Sequence, residues 1–255
     1  MGLNTNQNRK VIYFKTMGRL GDKMREIYGT PEQKEKLKQA ENIEISDKAK
    51  EYFAKIRQEV NEYKPTYYEV LNAFQEEYKK QNDRYYEGVD IDLVENMALY
   101  FANDSSFNLR GQKFSLKKGL LLKGGYGVGK TSIFKAFREL KPVVNYGIKS
   151  TIEIVKMFDE GGVGVIETYS KIGEMCFDDL GTEKDGKYYG NTQNTFKDIM
   201  ELRYNRFKQL GTRTHVSTNL DANQFKERYG ERMESRLYEM FNILIFKGTD
   251  YRKNL

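Results

Sequence analysis

Leu120-Leu-Leu-Lys-Gly-Gly-Tyr-Gly-Val-Gly-Lys-Thr-Ser132 is the stretch on which the reading of this chain turns. A short apolar run enters glycines, and Gly124 to Thr131 match GxxxxGK[ST] at every fixed position. The residue types follow from the chemistry of holding phosphate. Backbone N–H groups must wrap an anion, which needs φ/ψ values that glycine reaches cheaply. The helix expected from Ser132 to Leu140 turns the positive end of its dipole toward the same anion. Gly124, Gly125, Tyr126, Gly127, Val128, Gly129, Lys130, Thr131 and Ser132 are therefore the candidate phosphate-binding residues. Lys130 is expected at the β/γ oxygens and the Thr131 hydroxyl at Mg²⁺. The ligand implied is a nucleoside triphosphate, with ATP the expected one.

Some fifty residues downstream, Met175-Cys-Phe-Asp178-Asp179-Leu-Gly181 reads as an apolar strand ending in two carboxylates. In a parallel sheet that end lies beside the phosphate loop. Asp178 is placed to hold Mg²⁺, and Asp179 to orient an attacking water. Thr214 to Leu220 reads as a further strand ending in polar residues. Inserted between the first two, it brings Asn219 near the γ-phosphate; taken alone, Thr and Asn there are ordinary strand-end caps. Arg228, Arg232 and Arg236 recur every four residues and share one helix face. Such a face is commonly just solvated, but a guanidinium there also suits a neighbouring subunit's phosphate.

Between these motifs, strand-like and helix-like segments alternate. Strands are predicted at Leu120–Lys123, Val143–Tyr146, Glu174–Phe177, Thr214–Thr218 and Ile243–Phe246. Helices are predicted from Ser150, from Asn194 to Gln209, and between Asn223 and Met240. Alternation of this kind predicts an α/β fold, a parallel sheet flanked by helices. Upstream the texture is different. Residues 1–30 are polar and weakly patterned. From Pro31 to about Tyr86 the pattern is helical, with apolar stripes at Ala49–Val60 and Tyr68–Phe74, and Asp90 to Phe101 reads as one more helix. The expected division is a helical partner-binding region over residues 1–88 and an ATPase domain over 89–255.

Composition narrows the function classes. The chain has 255 residues, a net charge of +6, one cysteine and one histidine. Cys176 alone makes an internal disulfide or a cysteine-based zinc site impossible. Triad chemistry would have to use His215, and nothing around that residue suggests it. No apolar run approaches the length needed to span a bilayer, and no signal-peptide pattern opens the chain; a cytoplasmic protein with no membrane partner is expected. Residues 1–40 hold nine basic against four acidic residues, while the rest is nearly neutral. A basic arm on a neutral body suits nucleic acid or an acidic partner face, and equally a solvated tail.

Taken together, KGLLLKGGYGVGKTS, CFDDLGTEK, the YGN of Tyr189–Asn191, the helix ending ELRYNRF, VSTNLD and RYGERMESRL resemble the DnaC/IstB group of AAA+ ATPases, which contains helicase loaders and transposition helper ATPases. The resemblance covers about Gly119 to Arg252. It implies that Asn219 senses the γ-phosphate and that Arg236 acts in trans as an arginine finger, in an ATP-dependent homo-oligomer. It implies a function of placing a replicative helicase on single-stranded DNA. No helical lid of the kind in larger AAA+ proteins is expected after the last strand, which leaves Arg252 as the remaining candidate for that lid's sensor arginine. The nearest rival function is an IstB-like transposition helper with a transposase as partner. A rival from another class is a small-molecule P-loop kinase.

Overall fold

A computed structural model describes residues 64–88, 90–107, 114–141, 143–248 and 250. The apolar stripe at Ala49–Val60, the basic arm and Arg252 lie outside the described residues. Fifteen elements follow one another. They are α1 (Tyr67–Asn82), α2 (Ile91–Phe101), β1 (Gly119–Gly124), α3 (Lys130–Arg138), β2 (Gly147–Ser150), α4 (Thr151–Gly161), α5 (Val163–Lys171) and β3 (Met175–Leu180). Then come β4 (Gly186–Tyr188), β5 (Asn191–Gln193), α6 (Thr195–Leu210), β6 (Thr214–Thr218), α7 (Ala222–Tyr229), α8 (Glu231–Met240) and β7 (Phe241–Phe246).

Five strands form one sheet in the order β2-β3-β6-β1-β7, every neighbouring pair parallel. The fold is a parallel α/β sheet flanked by helices, with the glycine loop running from β1 into α3, and each strand shows why. Leu120 and Leu122 of β1 point to one face and Leu121 to the other, the two-residue period of a strand buried on both sides. The first face is packed by α1, α2 and α3 through Phe74, Val94, Met97, Phe134 and Phe137. The second is packed by α4 to α8 through Phe158, Ile166, Phe196, Ile199, Phe225, Met233 and Leu237. Two cores thus clamp the sheet, and all five strands end at one edge.

Two expectations need correction. The strand expected at Val143–Tyr146 is a buried connection; the strand is Gly147–Ser150. Val144 and Tyr146 are apolar because they fill the first core, where the Tyr146 hydroxyl donates to Phe134 O at 2.6 Å. Among the described residues β2 pairs only with β3, and it is half-exposed, so its sequence need not be apolar. The division expected at residue 88 also moves. The compact unit begins at Pro65, because α1 belongs to the core around the sheet: the Phe74 ring stacks on Phe137 at 4.5 Å, and Val70, Phe74 and Tyr78 are buried. Part of the stripe read as a partner surface is spent inside the unit.

At the other end of the sheet sits His215, fully buried among Tyr100, Phe101, Phe134 and Tyr146. Leu120 N donates to its Nδ1 at 3.0 Å, which places the ring proton on Nε2, 2.7 Å from Glu174 Oε1. Arg213 donates to the other Glu174 oxygen at 2.8 and 3.0 Å. Burial depresses the His215 pKa, more than Glu174 can offset. Glu174 is itself held below its ordinary value: burial works to raise it, but His215 and Arg213 outweigh that.

A histidine with a depressed folded pKa binds fewer protons folded than unfolded, so it takes stability away as pH falls through the unfolded value of about 6.5. Tm is expected to decline between pH 7.5 and 5.5. His215→Asn, which keeps an acceptor for Leu120 N, is expected to flatten that decline. Glu174 adds its own loss only lower, toward the ordinary glutamate value of 4.5. Equal slopes for the two proteins in thermal melts would show that His215 is not the titrating group.

Candidate active site

The phosphate loop connects β1 to α3 at the edge where the strands end. Gly127 and Gly129 take φ of +71° and +90°, the left-handed region that residues with a Cβ reach only at a cost. Gly129 is the N-cap of α3 and the loop turns directly into the helix. Lys130 is only 5% exposed. Its ammonium donates to Gly124 O at 2.9 Å, Gly125 O at 2.7 Å and Asn219 Oδ1 at 2.5 Å. Three donors thus find three oxygens across the mouth of the loop. Asn219 follows β6, and β6 lies between β1 and β3, the arrangement that brings it to Lys130.

Asp178 and Asp179 end β3 but do different things. Asp178 is buried and accepts from Thr131 Oγ1 at 3.0 Å and Ser217 Oγ at 2.5 Å. Asp179 is half-buried, with φ +57°. Its N–H donates to the same Ser217 Oγ at 2.8 Å, and its carbonyl accepts from Thr151 Oγ1 at 3.0 Å and Thr182 Oγ1 at 2.7 Å. The β3–β6 register shifts between Phe177 and Leu180. A register irregularity beside a left-handed non-glycine residue re-aims a side chain, and such strain persists only where neighbours fix it. Ser217 and the two threonines are those neighbours.

The next turn is pinned as firmly. Glu183 is 3% exposed; Gly181 N donates to its Oε2 at 2.8 Å, and Arg228 and the Tyr229 hydroxyl hold its Oε1. Burial beside Glu183 pushes the Tyr229 phenol well up, so it stays a donor. Arg228 therefore anchors the turn and is spent within the chain. Below β3, Arg203 is fully buried. It donates to the carbonyls of Tyr169, Ile172, Gly173 and Arg213 and to Thr214 Oγ1 at 2.8–3.1 Å, and burial draws its pKa down to about 10. Neither role was visible in the sequence, where Glu183 and Arg203 read as two more charges.

The two other arginines sit apart from the phosphate loop, on α8. Arg236 is turned inward, its side chain 11% exposed, over the Tyr204 ring at 4.3 Å and paired with Glu201 of α6. Arg232 is 75% exposed and 3.7 Å from the same carboxylate.

A magnesium ion is the metal that a triphosphate site needs, and the donors present fit one. A hydroxyl (Thr131) and a carboxylate (Asp178) already touch, and both are hard oxygens. No group of three or more His, Cys, Asp or Glu suited to a metal occurs among the described residues. Magnesium is ordinarily held by one or two carboxylates plus substrate phosphates rather than by such a cage. The lone thiol, Cys176, is buried in β3 and burial pushes its pKa far up, which makes it a core residue.

No family model matches the chain, and no curated protein sequence matches it. Solved structures do match. A DnaC helicase loader is 21% identical over 65% of this chain and 95% of its own, with a TM-score of 0.45. A DnaI structure is 21% identical over 71% and 92%, with a TM-score of 0.48. AMPPCP-bound DnaA from Aquifex aeolicus is 15% identical over 53% and 41%, with a TM-score of 0.40. The arrangement of the individual residues rests on the geometry above.

The division of labour at the end of β3 gives a direct expectation. Asp179→Asn should bind Mg²⁺ and ATP as wild type does and lose turnover by about 10²-fold or more, the usual contribution of positioned acid–base chemistry. Asp178→Asn should instead weaken the Mg²⁺ dependence of binding. Steady-state turnover together with binding titrated at several Mg²⁺ concentrations separates the two. Wild-type turnover in Asp179→Asn would mean that another group positions the water.

Proposed function

We propose that this chain is an ATPase that loads a replicative helicase onto single-stranded DNA, working as an ATP-dependent homo-oligomer. The observation that carries the ATPase reading is the convergence at one sheet edge of Lys130 and Asn219, 2.5 Å apart, with Thr131 and Asp178, 3.0 Å apart. Asp179 stands beside them in a strained conformation.

In this reading the loop N–H groups and Lys130 bind the β- and γ-phosphates. Thr131 and Asp178 hold Mg²⁺, which when bound offsets phosphate charge. Asp179 orients the attacking water and accepts its proton, while Asn219 contacts the γ-phosphate. Arg236 supplies positive charge to a neighbour's site, for which it leaves Glu201. Arg232, exposed one turn earlier, is the alternative finger. A small-molecule kinase would need arginine clamps over an acceptor pocket. Here Arg203, Arg213 and Arg228 are all engaged in holding the fold, which disfavours that rival.

The DNA half of the proposal is supported by the hairpin of β4 and β5, which follows the Asp178–Asp179 strand. Its two-residue turn, Tyr189-Gly190, has φ of +47° and +83°, as a tight primed turn requires. Tyr188 packs on Gly162, where a Cβ would lie 2.4 Å from its ring, and Lys187 N donates to Asp159 at 2.6 Å. A fixed base thus presents Tyr189, 88% exposed, with Lys184 and Lys187 exposed nearby. Aromatic rings among lysines suit stacked bases and phosphates. The helicase partner rests on the motif resemblance, and residues 1–64, ahead of the compact unit, are proposed to grip it.

One experiment with three proteins tests this reading, following ATP turnover against protein concentration and binding of a fluorescent oligo-dT with ATP present. Wild type should hydrolyse more per chain as concentration rises and bind the oligonucleotide in a strongly salt-dependent way. Tyr189→Ala should weaken that binding about five- to a hundredfold, the worth of one stacked base at ~1–3 kcal/mol. Arg236→Ala should keep nucleotide and lose about 10³-fold or more in turnover. Turnover independent of concentration and normal in Arg236→Ala would remove the shared site; no oligonucleotide binding would remove DNA.

A further inference from the structure

Strand β7 is the sheet's outer neighbour of β1, and its end is packed against the phosphate loop. A Cβ on Gly124 would lie 2.7 Å from Phe246 O. Just beyond, Lys247 N and Gly248 N both donate to Asp90 Oδ2, at 2.8 and 3.0 Å. Asp90 is buried and stands at the start of α2, yet it makes no side-chain cap to that helix. Its carboxylate holds the segment after β7 instead. The result is that Asp250, half-buried, lies on the loop: a Cβ on Gly127 would come within 1.6 Å of Asp250 Oδ1 and 2.3 Å of its Cγ. Gly127 is required by its φ of +71°, and the carboxylate lies where a side chain at that position would project.

The strand order says which end of a bound triphosphate Asp250 faces. Asp178, Asp179 and Asn219 all come from β3 and β6, on one side of β1. A triphosphate lying in the loop with its terminal phosphate toward them leaves its nucleoside on the other side, the side of β7 and the segment that Asp90 fastens. We propose that Asp250 reads the nucleoside, its carboxylate accepting a hydrogen bond from a ribose hydroxyl or from the exocyclic amine of the base. The inference rests on the triphosphate reading of the loop and adds a specificity residue to it. A carboxylate is an acceptor only, so it favours a ligand that carries such a donor there and disfavours one that presents an oxygen.

The test is equilibrium competition on the full chain with Mg²⁺ and four probes: ATP, dATP, ITP and inorganic tripolyphosphate. Asp250→Ala should bind ATP about ten- to a hundredfold more weakly, the worth of one hydrogen bond to a charged group. It should bind tripolyphosphate as wild type does, which also reports an intact loop. Asp250→Asn keeps an acceptor oxygen and should fall between the two. In wild type, weaker dATP identifies the 2′-hydroxyl as the donor, and weaker ITP identifies the amine. The inference is overturned if Asp250→Ala binds ATP normally, or loses tripolyphosphate equally, which would mark a role in shaping the loop. It is also overturned if that variant gains affinity for both, which would mark Asp250 as a plug. Wild type that binds neither ATP nor tripolyphosphate would instead sink the triphosphate reading, and this inference with it.

Discussion

Everything at the site depends on one contact, the Lys130 ammonium against Asn219 across the end of β1 and β6. It can form only because β6 is inserted between β1 and β3, so residues far apart in sequence finish side by side. A parallel sheet puts every such finish on the same edge, and the glycine loop turns its N–H groups to that edge as well. An ammonium 5% exposed would be costly without partners. The two loop carbonyls and the Asn219 oxygen meet that need, and a phosphate oxygen is the natural substitute for them.

Around this contact a layer of short polar side chains fixes geometry without taking part in chemistry. Ser217 is the clearest: its hydroxyl donates to the Asp178 carboxylate and accepts from Asp179 N, so one residue of β6 holds the Asp178 side chain and the Asp179 backbone. Glu183, Arg228 and Tyr229 do the same for the turn beyond. Arg203 secures the opposite ends of β3 and β6 by saturating carbonyls that would otherwise be buried and unpaired. Asp90 performs the equivalent service for the segment after β7.

What could be read beforehand follows from what each element must satisfy. The phosphate loop is legible because only glycine fits its dihedrals and only Lys-Thr fits its ligand. β1 and the first half of β3 are legible because, sheathed on both faces, they must be apolar. The edge strand β2 escaped because it carries no such demand, while the buried loop before it does and so imitates a strand. The break between α4 and α5 at Gly162 and the hairpin after β3 also escaped, since three-residue strands held by Gly-rich turns leave no periodicity. Helix α1 was legible as a helix, but nothing in its stripe says which surface it meets. The supporting residues were illegible for a related reason: Ser217, Glu183, Asp90 and Arg203 act through contacts made only when the chain is folded. The resemblance of the motifs could point to Arg236 but not to its present engagement with Glu201.

The central claim is that this edge is a magnesium–triphosphate site organised around Lys130. Calorimetric titration of a non-hydrolysable ATP analogue into wild type and Lys130→Ala, each with and without Mg²⁺, tests it most directly. The account predicts saturable binding that strengthens with Mg²⁺ and a loss in Lys130→Ala of at least about tenfold, the least expected when a charge-assisted contact worth ~1.5–3 kcal/mol is removed. Equal affinities in a folded Lys130→Ala protein, or no binding by wild type, would contradict it.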